Sequence, residues 1–240
     1  NKNSINNGDC LKLMNGIPDK SIDMILADLP YGTTACSWDS VIDLDKLWLQ
    51  YERIIKDNGA IVLTGSQPFT TELIKSNIGL FKYCWIWKKE QGVNPLQAKY
   101  QPLNDYEDIA VFYKNKPTYN PQFEKGKPYH IIRDKKDREH ELTGTTFKQT
   151  ETKNNGYRFP KRIIKFNRET GKHPTQKPVA LFEYLIKTYT NKGDTVLDNV
   201  SGSGTTAIAC INTDRKYICI EQDKEYYQQS IERVNRLVGD

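Results

Sequence analysis

The stretch GDTVLDNVSGSGTTAIACINTDRKYICIEQDKEYYQQSIERVNRLV, residues 193–238, decides the fold. TVLD (195–198) is a short apolar run closed by an acid, Asp198. A glycine-rich turn follows at 201–204, and TTAIACIN (205–212) predicts a helix. YICIE (217–221) is a second apolar run that again ends in an acid, and 223–238 has the spacing of a final helix. Strand, helix and strand in this order form the unit of a parallel sheet. Gly202 and Gly204 let the backbone take positive φ and approach a ligand closely. Glu221 lies 17 residues beyond Gly204, at the end of the second strand. In nucleotide-binding units of this kind such an acid bonds ribose hydroxyls. The spacing is not that of a dinucleotide fingerprint, and it lacks the lysine of a phosphate-binding loop. A nucleoside-containing cofactor without a pyrophosphate is therefore favoured. On this motif alone, a tight glycine turn beside two solvated acids stays open.

Working outward, the N-terminal part also alternates. SIDMILAD (21–28) is a buried strand that runs into Leu-Pro-Tyr-Gly. LDKLWLQYERIIK (44–56) sets its apolar residues at helical spacing, with Asn58-Gly59 as the stop. GAIVLTGS (59–66) is a strand, FTTELIKSN (69–77) a helix, and KYCWIWKK (82–89) and YEDIAVFYK (106–114) are further strands. VALFEYLIKTYT (179–190) is an amphipathic helix. Apolar strands separated by helices imply an α/β, doubly wound, mostly parallel sheet with helices on both faces.

Net charge is +5, which says little until it is mapped. Residues 114–172 hold 16 Lys and Arg against 7 Asp and Glu, while the remainder holds 19 against 23. One internal segment therefore carries the whole basic excess, and it shows no helical or strand period. The expected organisation is a larger domain, 1–113 with 173–240, interrupted by a polyanion-binding insert at 114–172. No stretch approaches the ~20 apolar residues of a spanning helix, so no membrane partner is expected. The five cysteines form no CxxC pair, and the three histidines complete no zinc spacing. Free thiols, no metal and a cytoplasmic setting are the expectation.

The second chemical motif is Asp28-Leu29-Pro30-Tyr31-Gly32, at the mouth of a buried strand. Asp28 offers a hydrogen-bond acceptor, Pro30 stiffens the turn and Tyr31 supplies a flat face. That combination suits a planar substrate with an amino group, such as a base rotated out of a duplex. A plain β-turn is the competing account.

Together the two motifs resemble the amino-group DNA methyltransferases that use S-adenosylmethionine. In that family a D/N/S-P-P-Y element activates the target amino group and a DPF-x-GSGTT element binds the cofactor. GKHPTQKPVALFEYLI (171–186) looks like the HPTQKP element of the same family. The catalytic element precedes the cofactor element, as in the β class, and the variable segment between them is there the target-recognition region. The resemblance covers nearly the whole chain and implies a Rossmann-like methyltransferase fold with a basic recognition insert. Two departures stand out. Leu29 replaces the first Pro, and Asn199-Val200 replace Pro-Phe.

The resemblance implies transfer of a methyl group to N6 of adenine in double-stranded DNA, by base flipping and direct in-line attack. Asp28 and the Leu29 carbonyl would accept the two amino hydrogens, with Pro30 holding the turn and Tyr31 stacking on the base. Gly202, Gly204 and Thr205 are assigned to the methionine side of the cofactor and Glu221 to the ribose. Asp9 is assigned near the adenosine, Thr175 and Lys177 near the methionine carboxylate, and Asp198 to the glycine loop or the methionine amino group. The run Trp87-Lys88-Lys89 through Asn94-Pro95, with Lys88 and Asn94 as its candidates, ends a strand where it could line the base pocket, and a charged loop after an edge strand is the competing account. Arg158, Lys161, Arg162, Lys165 and Arg168, interleaved with Tyr157, Phe159 and Phe166, are candidates for DNA contact. Cytosine N4 methylation on the same scaffold is the near alternative, and a non-catalytic DNA-binding module with a vestigial cofactor fold the distant one. A homodimer and a partner endonuclease stay open.

Overall fold

Residues 195–198, 22–27 and 217–221 are apolar on both faces, so they need cover on both sides. The computed structural model supplies it. It describes residues 3–32, 42–93, 95–132, 138–140, 145–147, 151–168 and 176–239. In chain order the first elements are β1 (Ser4–Asn7), α1 (Cys10–Met14), β2 (Ile22–Ala27), α2 (Leu44–Ile54), β3 (Ile55–Gly65) and α3 (Phe69–Ser76). Then come β4 (Phe81–Val93), a short 3-10 turn at Pro95–Gln97, and β5 (Asn104–Phe112). Six short strands follow: β6 (Glu124–Lys125), β7 (Tyr129–Ile132), β8 (Arg138–His140), β9 (Thr145–Phe147), β10 (Glu151–Asn154) and β11 (Tyr157–Arg158). The chain closes with β12 (Ile163–Lys165), α4 (Val179–Tyr189), β13 (Thr195–Asp198), α5 (Thr205–Asn212), β14 (Lys216–Glu221) and α6 (Lys224–Val238).

Eight strands form one sheet in the order β1-β14-β13-β2-β3-β5-β4-β12. Every neighbouring pair is parallel except those made by β5, which runs antiparallel between β3 and β4. The period-2 rule sorts the strand side chains into two cores. Met24, Leu26 and Val62 pack with Leu181, Leu185 and Tyr189 of α4 and Ala207 and Ile208 of α5. Ile25, Ala27, Ile61 and Leu63 point the other way, onto Leu47, Trp48 and Tyr51 of α2 and Leu73 of α3. The sheet is therefore doubly wound. Asn58-Gly59 does not stop the helix after 56 as expected. The helix ends at Ile54, and the exposed Asp57-Asn58 already lie within β3.

The described chain divides into two compact units, residues 1–120 with 162–240, and residues 121–161. The smaller unit is narrower than the insert expected at 114–172. Ile163–Lys165 form β12 and pair with Ile86–Lys88, so the last part of that segment belongs to the main sheet. Regular structure was not expected there. The smaller unit nevertheless holds three antiparallel pairs, β6 with β11, β7 with β10 and β8 with β9. At two to four residues each, these strands are too short to print a period on the sequence. Phe123, Tyr157 and Phe159 cluster within it, the two Phe rings 5.0 Å apart.

Candidate active site

The β13–α5–β14 connection leads one way across the sheet, and β2–α2–β3 leads the other. The crevice outside the carboxyl ends of β2 and β13 is therefore the switch point, where open α/β sheets bind ligands. A cavity of about 1050 Å³ lies there. Its lining includes Asp9, Asp28, Leu29, Pro30, Tyr31, Lys177, Asp198, Gly202, Thr205 and Glu221. Both sequence motifs thus face one space.

On the cofactor side the geometry follows from the turn. Gly202 and Gly204 have φ of 51° and 82°, the left-handed region that favours glycine. Gly204 caps α5, and a Cβ there would lie 2.9 Å from Ser230 Cβ. In front of Gly202 there is open space. Its N–H donates to Glu221 Oε2 at 2.7 Å, and Asp223 N–H donates to Oε1 at 2.8 Å. Both carboxylate oxygens keep a lone pair for a hydroxyl donor. Burial pushes the Glu221 carboxyl up, against the backbone donors of Asp223, Gly202 and Gln222 that pull it down. Asp198 is 3 % exposed and accepts from the Thr206 hydroxyl and from Val200 N–H. Burial, with the charges of Asp28 and Glu221, pushes its carboxyl up to about 7, although both hydrogen bonds oppose the shift. Asp9 caps α1, accepting from Lys12 N–H at 3.0 Å. A left-handed glycine turn with room before it, beside an acid with spare lone pairs, fits a nucleoside cofactor. Thr175 lies outside the described residues.

On the substrate side Asp28 is the hub. Its Oδ1 accepts from the Tyr31 hydroxyl at 2.8 Å and from the Thr64 hydroxyl. Its Oδ2 accepts from Lys177 Nζ at 2.6 Å. Lys177 is also 3.2 Å from Glu107, which pairs with Lys89 at 2.7 Å. Lys177 was expected beside a methionine carboxylate, and here it is engaged by Asp28. Tyr31 was expected as an open stacking plate. Its ring stacks on Phe69, centroids 5.0 Å apart and 25° between planes, and its hydroxyl turns inward. Burial and the Asp28 charge hold that hydroxyl well above its usual range. Leu29 is 2 % exposed and packs in the core with Leu47 and Phe69.

Sequence reasoning missed Thr64 and Glu107. The one available signal was the Glu107-Asp108 acid pair inside an otherwise apolar strand, YEDIAVF. Asn199 was noted only as a departure. It is buried, and its Oδ1 accepts from the Tyr51 hydroxyl.

The DNA candidates are dispersed. Lys165 pairs in register with Lys88 on β12 and β4, both exposed, and Lys88 lies 3.4 Å from Asp105. The Arg162 guanidinium sits over the Tyr83 ring at 5.4 Å. Arg168 is held by Glu90, with its backbone N–H at 3.0 Å and its Nε at 3.3 Å, on the cavity wall. Arg158 lies over Tyr129 and donates to the Lys127 carbonyl within the smaller unit. Lys161 is exposed there. Asn94 lies outside the described residues. Among the described residues no group of three or more His, Cys, Asp or Glu could hold a metal ion, and no helix is long and apolar enough to cross a membrane.

A doubly wound sheet with a glycine turn and an acid-tipped next strand at its switch point defines a nucleoside-cofactor enzyme of the Rossmann-like class. The family model for DNA methylase, covering N6 and N4 methyltransferases, matches residues 22–232, and the chain belongs to that family. It is 28 % identical to the type II methyltransferase M2.MboI of Moraxella bovis, over 98 % of this chain and 88 % of that protein. It is 29 % identical to the DNA adenine methyltransferase YhdJ of Escherichia coli K12, over 97 % and 82 %. Among solved structures, M1.HpyAVI in complex with SAM superposes with a TM-score of 0.65 at 27 % identity, over 96 % of this chain and 98 % of that one. The cytosine-N4-specific PvuII methyltransferase shares the fold, with a TM-score of 0.69 at 16 % identity, over 97 % and 86 %.

Proposed function

We propose that this chain is a site-specific DNA methyltransferase that moves the methyl group of S-adenosylmethionine to the N6 amino group of adenine in double-stranded DNA. The observation that carries this is the shared cavity. Asp28, an acceptor with a fixed orientation, opens onto the same space as the Gly202 turn and Glu221. The names of the relatives favour adenine, since YhdJ is called a DNA adenine methyltransferase. The solved SAM complex of M1.HpyAVI supports the cofactor.

The cofactor supplies an electrophilic methyl on a sulfonium, and the chain's residues do the rest. Glu221 takes the ribose hydroxyls and Asp9 lies toward the adenosine. Gly202 and Thr205 line the methionine side, with Gly204 holding the turn. Asp198 faces the cofactor's cationic amino group or steadies the loop through Thr206 and Val200. An aromatic amine is a poor nucleophile because its lone pair is delocalised. Asp28 and the Leu29 carbonyl would accept its two hydrogens and so orient the lone pair toward the transferable methyl, with the cofactor's thioether as the leaving group and one amine proton released. Pro30 fixes that turn.

DNA is held by the cations of this basic segment. Residues 121–161 carry 10 Lys and Arg against 6 Asp and Glu, and Arg162, Lys165, Arg168 and Lys172 follow at once. Lys88 and Lys165 suit phosphates, and the aromatic cluster of the smaller unit suits bases or sugars. The setting is the cytoplasm, and a second copy of the chain is a candidate partner.

The test is to incubate the protein with duplex DNA and labelled S-adenosylmethionine, digest the product, and resolve the nucleosides. N6-methyladenine is the expected product. N4-methylcytosine would move the chain to the cytosine reaction, and no labelled base would leave only a binding module.

A further inference from the structure

We propose that Lys177 is a positioning residue for methyl transfer. The buried ion chain Asp28–Lys177–Glu107–Lys89 holds the Asp28 side chain in place and aims its Oδ2 at the incoming amino group. The inference rests on the adenine-methylation reading and deepens it.

The geometry is continuous. Lys177 Nζ is 2.6 Å from Asp28 Oδ2 and 3.2 Å from Glu107 Oε2, and Lys89 Nζ is 2.7 Å from Glu107 Oε1. Lys177, Glu107 and Lys89 are each 8 % exposed. They come from three separate parts of the fold: the segment before α4, β5 and β4. An ammonium removed from water persists only with close counter-charges, and here two carboxylates flank it. The four charges sum to zero, so the cluster stays buried at modest cost while its end member opens onto the cavity.

Asp28 Oδ1 is already committed to the Tyr31 and Thr64 hydroxyls. Oδ2 is the oxygen with capacity left, and Lys177 occupies one side of it. An amine hydrogen must then arrive from the remaining direction, which fixes the approach of the base. The charges around Asp28 explain why a cation is needed. Glu107 faces it from β5, and Asp198 stands at the end of neighbouring β13. Tyr31 comes from its own turn and Thr64 from β3, neither carrying charge. The two neighbouring acids repel the Asp28 carboxylate in a site shielded from water. Lys177 is the cation set against that. Burial alone would pull its ammonium down, but Asp28 and Glu107 hold it well above its usual value.

The experiment is the single-turnover rate of methyl transfer against pH, with DNA and S-adenosylmethionine saturating, so that product release does not hide the chemistry. It compares the wild type with Lys177→Met and Glu107→Gln. Losing the cation should move the acid limb of Lys177→Met to higher pH by about one unit or more, with a rate at neutral pH down about tenfold. Losing an acid should move the limb of Glu107→Gln the opposite way. Cofactor affinity, measured separately by calorimetry, should stay within about threefold of wild type in both, because Asp28 and Glu107 engage the Lys177 ammonium in place of the methionine carboxylate first assigned to it. A merely structural role would not give shifts of opposite sign. Unmoved limbs overturn the proposal. So does a loss of cofactor affinity in Lys177→Met that matches the lost rate, since that would make Lys177 a carboxylate anchor. Should Lys177→Met fail to fold, the near-isosteric Glu107→Gln decides alone. An inactive wild type overturns the function and this proposal with it, whereas an active wild type with unmoved limbs overturns only this proposal.

Discussion

The backbone N–H of Gly202 donates to Glu221 Oε2 across 2.7 Å, tying the glycine turn to the tip of the next strand. One carboxylate therefore shapes the turn and faces the cavity. Glu221→Ala should weaken S-adenosylmethionine binding by about 10- to 100-fold, the scale of one or two hydrogen bonds to a charged group. Asp28→Ala should leave cofactor affinity nearly unchanged and abolish methyl transfer. Calorimetric titration of both variants beside a methylation assay checks this. Equal losses of cofactor binding would mean that the two acids do not divide the work between cofactor and base.

The two turn glycines should separate under substitution. Both sit at positive φ, but only Gly204 is crowded, by Ser230. Gly204→Ala adds a steric clash to the left-handed strain of about 1–2 kcal/mol, so its thermal midpoint should fall clearly. Gly202→Ala carries the strain without the clash, and its methyl enters the space before the turn. It should keep more of its stability and lose more of its cofactor affinity. A Gly202→Ala variant that binds cofactor normally would place the ligand elsewhere in the cavity.

Asp198 gives a pH signature. Its carboxyl is raised from 3.8 to about 7 in the fold, chiefly by burial. A folded pKa above the unfolded one means that the folded state holds the proton more tightly. Stability then falls as pH rises from about 4 to about 7 and levels off above. Asp198→Asn removes the titration. The stability of the variant relative to wild type should therefore rise between pH 5 and pH 8, by up to roughly 2.5 kcal/mol. Denaturant unfolding of both proteins across that range is the measurement. A difference independent of pH would show that Asp198 is already ionised at pH 5 in the fold.

Much of this was legible because it is local. The pattern TVLD, SGSG, TTAIACIN, YICIE carries its own strand, turn and helix signals, and β13 and α5 fall on the residues expected. The Asp28 and Gly202 motifs could be seen to need one crevice once both were placed at strand ends. The Lys177–Asp28 contact spans 149 positions and depends on how α4 enters, which no local pattern encodes. The course of β12 was equally hidden, because three residues beside Lys88 are strand by partnership and not by period. Leu29 shows the limit of motif reasoning. A proline there looks like a harmless return to the family pattern, but the leucine side chain is buried in the core that also holds Leu47 and Phe69. Leu29→Pro should therefore lower the thermal midpoint through lost packing, even though the turn gains rigidity.

DNA binding should show its cations through salt. Lys88 and Lys165 stand side by side on β4 and β12, exposed at the edge of the main sheet. Arg162 is drawn over the Tyr83 ring and Arg168 is tied to Glu90, so these two are less free to meet phosphate. Each lysine that neutralises a phosphate releases a condensed counterion, and log affinity then falls linearly with log salt. Replacing Lys88 and Lys165 with Ala should flatten that slope by up to roughly two if both meet phosphates. Lys88 lies 3.4 Å from Asp105, and an exposed pair of that kind is weak enough to exchange for a phosphate. Adding Lys161→Ala should flatten the slope further, by up to roughly one. Cofactor affinity should not change, because Gly202, Glu221 and Asp9 are untouched. DNA affinity against salt for wild type, double and triple variants is the measurement, with cofactor titration as the control. A slope unchanged in the double variant would remove the β4–β12 edge from the DNA path and leave it to the residue 121–161 unit alone.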